Sequence, residues 1–110
     1  MKRICSIIGG CVALLVSSSA LAGGDPIQGQ AKSTPCAACH GAEGNSTNPS
    51  FPNLAGQQAT YIVHALKEYQ NGNRKNAIMA GFAGPLSDQD RKDLAAYFSS
   101  QKGLFTLKHQ

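Results

Sequence analysis

Cys36-Ala37-Ala38-Cys39-His40 constrains this chain more than any other run of its residues. Two thiols three positions apart, with an imidazole directly after the second, is the attachment arrangement for a c-type haem. Both thiols reach the two vinyl groups while the next residue's imidazole approaches the iron from the same side. Two plainer readings compete. A Cys36–Cys39 disulfide of the thioredoxin-like kind requires a βαβ setting, which is missing, and leaves His40 idle. A zinc site requires four ligands, and outside the motif only His64 and His109 remain as further Cys or His donors once the leader is removed.

The leader comes first in the chain. Met1-Lys2-Arg3 is positive, Ile4 to Val16 is mostly apolar, and Ser17 to Ala22 ends in small residues. That order describes a secretory signal peptide over residues 1–22, cut between Ala22 and Gly23. Its apolar run is shorter than the roughly 18 residues of a membrane span. Cys5 and Cys11 leave with it, and the mature chain, residues 23–110, is read as a single domain without a membrane span. Taking 22 residues from 110 leaves 88. A domain of that size buries only about 60–65% of its unfolded surface, so a staple or a bound group is needed.

Eight basic residues then face all six acids, for a net charge of +2. They are scattered (Lys32, Lys67, Arg74, Lys75, Arg91, Lys92, Lys102, Lys108), with no interleaved aromatics. A nucleic-acid partner is not supported. Export of a bacterial chain places it in the periplasm.

Helical signals divide the mature chain. Asp25-Pro26 reads as an N-cap followed by proline at the first helical position, opening a helix that runs to Ser33 and stops at Pro35. Gly41 to Gly56 is rich in Gly, Pro, Asn and Ser, a loop too long for so small a domain unless it wraps something. Gln58 to Gln70 carries an apolar stripe of Tyr61, Ile62, Ala65, Leu66 and Tyr69, closed by Gly72. Asn71 to Pro85 reads as loop. Ser87 caps a last helix with acids in its first turn and a stripe of Leu94, Tyr97 and Phe98, with Gly103 as its C-cap residue. The expected architecture is all-α, three main helices and two long loops, with too few large apolar residues to close a core alone.

The chain resembles the class I c-type cytochromes, and is most similar to small bacterial monohaem members and to one half of the periplasmic dihaem kind. The resemblance rests on Gly29, on Cys36 to Gly41, on Phe51-Pro52-Asn53-Leu54-Ala55-Gly56-Gln57, and on Tyr61 and Leu66-Lys67. It continues through Gly72-Asn73-Arg74, Met79-Ala80-Gly81, Leu86 to Asp90, and Asp93 to Phe98. Only one haem motif is present, a departure from the dihaem relatives.

The resemblance implies the cytochrome c fold wrapped around one covalently attached haem c, with thioethers from Cys36 and Cys39. It implies His40 and Met79 as axial iron ligands. Met79 is also the only methionine left once the leader is removed; gap-filling packing is the plain alternative for it. His64 is the rival ligand, placed by the helical wheel on the wet side of its helix, and His109 lies at the C-terminus. The carbonyl of Pro52 would accept from the other ring nitrogen of His40. Leu54 would pack on the haem, Gly29 would let the first helix approach the last near Tyr97 or Phe98, and Tyr61, Arg74 and Asn76 are candidates for the haem propionates. A six-coordinate haem of this kind exchanges single electrons, which describes a monomeric, non-enzymatic electron carrier meeting a redox donor and an acceptor at the haem edge. The alternatives are a haem subunit of a larger oxidoreductase, or a haem enzyme or ligand sensor in which Met79 is unbound.

Overall fold

Asp25 begins the ordered architecture: its carboxylate accepts from the backbone N–H groups of Ile27 and Gln28 and starts helix α1, Pro26–Lys32. The computed structural model describes residues 23–103. The proposed leader, with Met1, Cys5 and Cys11, and the C-terminal segment with Lys108 and His109 lie outside the described residues. Among the described residues the fold is all-helical, with five helices where three were expected.

The first extra helix is α2, Thr34–His40, which carries the Cys-x-x-Cys-His motif. Pro35, read as a stop, stands in its first turn, where a missing N–H leaves no helical hydrogen bond unmade. The Ser33 carbonyl accepts from Cys36 and Ala37 and starts the new turn. The second extra helix is α4, Ala77–Ala83, inside the segment expected to be loop. The Asn76 side chain caps it by accepting from Met79 N–H at 3.0 Å.

The two amphipathic helices fall close to their expected positions. Helix α3 is Ala59–Asn71, ended by Gly72 in the left-handed region at φ 81°. Helix α5 is Asp88–Ser99, opened by a reciprocal pair in which Ser87 and Asp90 bond each other's backbone N–H. It ends at Ser100 rather than at Gly103. Gly103 instead lies against Ala55, where a Cβ would come within 2.4 Å of the Ala55 carbonyl oxygen.

Ile62 from α3 and Leu94, Ala95, Tyr97 and Phe98 from α5 form the buried core. Cys36, Leu54, Val63, Leu66 and Leu86 pack against it. Helices α1 and α5 cross at Gly29, where a Cβ would stand 2.0 Å from the Asp93 carbonyl oxygen and 2.7 Å from Tyr97 Cβ. Only glycine permits that approach. Asp93, 2% exposed, ties the crossing together. One of its oxygens accepts from Asp25 N–H and the Gln89 amide, both at 2.8 Å, and the other from Lys32 Nζ at 2.6 Å.

The 41–56 segment is ordered by its own backbone. Leu54 and Ala55 N–H both donate to the Gly44 carbonyl, Ser46 N–H to the Asn53 side chain, and the Tyr97 hydroxyl to the Ala42 carbonyl. The segment is thereby folded back over α2, which turns the Pro52 carbonyl toward the motif. Among the described residues, no helix is long and apolar enough to cross a membrane.

Candidate haem site

Helices α2, α3, α4 and α5 and the 41–56 segment enclose a cavity of about 620 Å³, within the usual range of roughly 300–1,000 Å³ for cofactor and ligand pockets. Its walls are mostly apolar, with Leu54, Ile62, Leu66, Leu94 and Phe98 behind and Ile78, Met79 and Phe82 contributed by α4. Among the described residues no carboxylate lines it, and Arg74 is its one charged side chain.

Cys36, Cys39 and His40 reach this cavity together from the end of α2. Both thiols are free, and burial pushes the Cys36 thiol pKa up, so it rests as the neutral S–H. His40 is 7% exposed, and its Nδ1 lies 2.8 Å from the Pro52 carbonyl oxygen. A carbonyl only accepts, so the proton of the neutral ring sits on Nδ1, and Nε2 keeps the lone pair. Among the described residues no three His, Cys, Asp or Glu side chains converge as a cage for a bare metal ion.

Met79 lines the same cavity from α4, a short helix rather than the loop expected over Asn71 to Pro85. Leu54 lines it too, half-buried against the core. His64 stays outside, with its side chain 69% exposed and Nε2 3.2 Å from Glu68. Tyr61, Arg74 and Asn76 all reach the cavity. Arg74 Nη2 donates to the Tyr61 hydroxyl at 3.0 Å, and the guanidinium lies over the rings of Tyr61 and Tyr69. The Asn76 oxygen is already engaged in capping α4.

The residues fit a haem on three grounds: an apolar cavity of suitable size, two free thiols at its wall, and an imidazole whose second nitrogen is already held. Two residues that shape the site carried no signal in the sequence. Gln70 and Arg91 lie behind α4 and hold its end, across 13 to 21 positions of chain. Nothing short of the folded arrangement brings them together.

Comparison with known proteins agrees. The Cytochrome c family profile matches residues 28–102. The chain is 51% identical over 81 residues to cytochrome c4 of Pseudomonas aeruginosa, covering 74% of this chain and 40% of that protein. It is 46% identical over 82 residues to cytochrome c-554(548) of Halomonas halodenitrificans, covering 72% of this chain and 99% of that one. The solved structure of reduced recombinant cytochrome c4 from Pseudomonas stutzeri matches with a TM-score of 0.70 at 48% identity, over 74% of this chain and 47% of that chain. The chain thus spans about half or less of the length of the cytochrome c4 relatives it matches.

Proposed function

The chain belongs to the cytochrome c family, and from that premise we propose that it is an exported one-electron carrier with a single haem c. The observation that carries this reading is the gathering of both thiols, the oriented His40 and Met79 around one apolar cavity. When bound, haem supplies an iron couple that gains and loses one electron.

The chain's residues do the rest. Cys36 and Cys39 would hold the group covalently, since each free thiol could add its S–H across a vinyl double bond with no atom lost. His40 would be the first iron ligand: the Pro52 carbonyl fixes the ring and raises the basicity of Nε2. Met79 would be the second, and a thioether there would favour the reduced state and raise the potential. With the iron held by both His40 and Met79, the chain would leave no place for oxygen or peroxide, which would separate a carrier from an enzyme or sensor. Leu54 and the α3 and α5 side chains exclude water. Arg74, the one cation on the wall, is placed to meet carboxylates of the group, and its bond to Tyr61 pushes its pKa further up, so its charge persists.

Docking to a donor and an acceptor falls to the surface beside the thiols and α4. Ala37, Ala38 and Ala80 are small, and Phe82 and Ile78 are 48% and 62% exposed. Among the described residues, no carboxylate lines the cavity beside this rim. The monomer therefore meets its partners through an apolar, transient contact, small by interface standards at about 1,200 Å² or less.

Spectroelectrochemistry of the holoprotein tests the reading. We expect a single one-electron wave and the far-red charge-transfer band of thioether-ligated ferric haem. Met79→His should abolish the band and lower the potential by on the order of 100 mV, within the range over which axial ligands tune haem. An unchanged band and potential in Met79→His would reduce Met79 to packing.

A further inference from the structure

Helix α4 has little of its own to hold it. Seven residues are too few for a helix to stand alone in water, and of its side chains only Ala83 is buried. The last carbonyl of α4 and two carbonyls just past its end, groups that a helix end ordinarily leaves to water, go instead to one side chain. The Gln70 amide, in the last turn of α3, donates to the Ala83 carbonyl at 2.7 Å, to Leu86 at 2.6 Å and to Gly84 at 3.3 Å.

Gln70 is itself held. Its oxygen accepts from Arg91 Nη1, which also donates to the Leu86 carbonyl at 3.2 Å. Arg91 is 5% exposed, its Nη2 pairs with Asp88, and its buried Nε has no partner among the described residues. A buried, incompletely satisfied guanidinium is a poor device for stability alone, since apolar residues of similar volume commonly do as well or better. Its geometry does something else: it fixes the rotamer of Gln70, and Gln70 fixes the end of α4.

We propose that Gln70, locked by Arg91, is the positioning residue for Met79. Met79 lies four residues before Ala83, one turn up the helix whose end Gln70 grips. Any drift of that end is carried to the thioether, so the clamp sets how firmly Met79 stays on the iron. The proposal rests on Met79 being the sixth ligand.

The test uses covalently loaded holoprotein and imidazole as the displacing probe, with the rate of sixth-ligand exchange in the ferric state followed by stopped flow. Gln70→Leu removes all the clamp's bonds. Gln70→Glu keeps the pairing with Arg91, and so the fold, while turning an oxygen toward the carbonyls. Both should speed exchange by about tenfold, equivalent to ~1.4 kcal/mol, and lower the potential. Lys32→Met, which cuts a polar tie at the α1–α5 crossing instead, should change exchange by less than about twofold on the same scale. Exchange at the wild-type rate in Gln70→Glu overturns the clamp while leaving Met79 as ligand. Equal acceleration in Lys32→Met overturns it too, reducing Gln70 to general stability. A ferric wild type without the far-red thioether band overturns the Met79 reading and the clamp with it.

Discussion

The α1–α5 crossing and the α4 arm hold the two halves of the site by different means. At the crossing, backbone meets backbone at Gly29, Asp93 is buried with three donors, and Leu94, Tyr97 and Phe98 fill the space behind. In the arm, Ile78 and Phe82 face the cavity and its rim, and the helix is kept by a cap at one end and a clamp at the other. The difference assigns roles. The crossing carries global stability, and the arm carries Met79, the proposed second iron ligand. A change in the crossing should therefore move melting more than ligand exchange, and a change in the arm should do the reverse.

The hardest blow to the crossing is Gly29→Val. Its Cβ collides with backbone, not with a movable side chain, so the helices must part. We expect a loss of about 3 kcal/mol or more, at or beyond the upper end of overpacking penalties, read by thermal unfolding of the holoprotein. The far-red band should persist up to the transition. Loss of the band well below it would mean that the crossing and the arm are one unit.

Asp93→Ala comes next, at about 2–3 kcal/mol for a buried carboxylate with several donors left unpaired. Acid should reach the same region. Bonds to Lys32 and then Ser87 push the Asp90 pKa from 3.8 down to about 2, and the Asp25 N–H and then Lys32 hold Asp93 below its ordinary value. Across that interval the unfolded chain binds more protons than the folded one, so stability falls as pH falls from 3.8 to about 2. The Lys32 pKa is raised by the same bonds, so its share is full below the ordinary lysine value and lost only as pH rises past it. Lys32→Met should flatten the acid loss. An acid profile identical to wild type would place the responsible carboxylates elsewhere.

Asn76→Ala moves to the arm. Losing an N-cap is worth about 1 kcal/mol, here confined to a helix with few other contacts. We expect imidazole exchange to quicken by about fivefold, the equivalent of that energy, with the melting of the protein hardly changed. A large fall in melting instead would show α4 to be part of the global core.

This contrast also explains what the sequence made legible. Helices α3 and α5 are long enough to show periodicity, and their caps at Gly72 and Ser87 are local chemistry. The thiols and His40 are adjacent, and Met79 stood out by elimination. Helices α2 and α4 escaped because seven residues hold barely two turns. The alanines there leave no stripe, and Pro35 and the lone glycine, Gly81, signal breaks. Gly103 looked like a cap because its proximity to Ala55 spans 48 positions. Gln70 and Arg91 were invisible for the same reason: each is an ordinary polar residue on its own helix, and only the fold makes them partners.

The smallest effect is expected at Gly81, and it runs in the opposite direction. Gly81 lies inside α4 without a positive φ, and a Cβ there would meet no atom within 4 Å. Glycine in a helix interior is worse than alanine by roughly 0.5–1 kcal/mol, because more backbone freedom is lost on ordering. Gly81→Ala therefore stiffens the arm without adding a contact. If Met79 leaves the iron by fraying of α4, alanine should slow imidazole exchange by roughly two- to fivefold, while melting, carried by the crossing, stays where it was. An unchanged rate would mean that α4 swings away as an intact helix. The resistance to ligand loss would then lie wholly in the Gln70 grip at its end and not in the helicity of the arm itself.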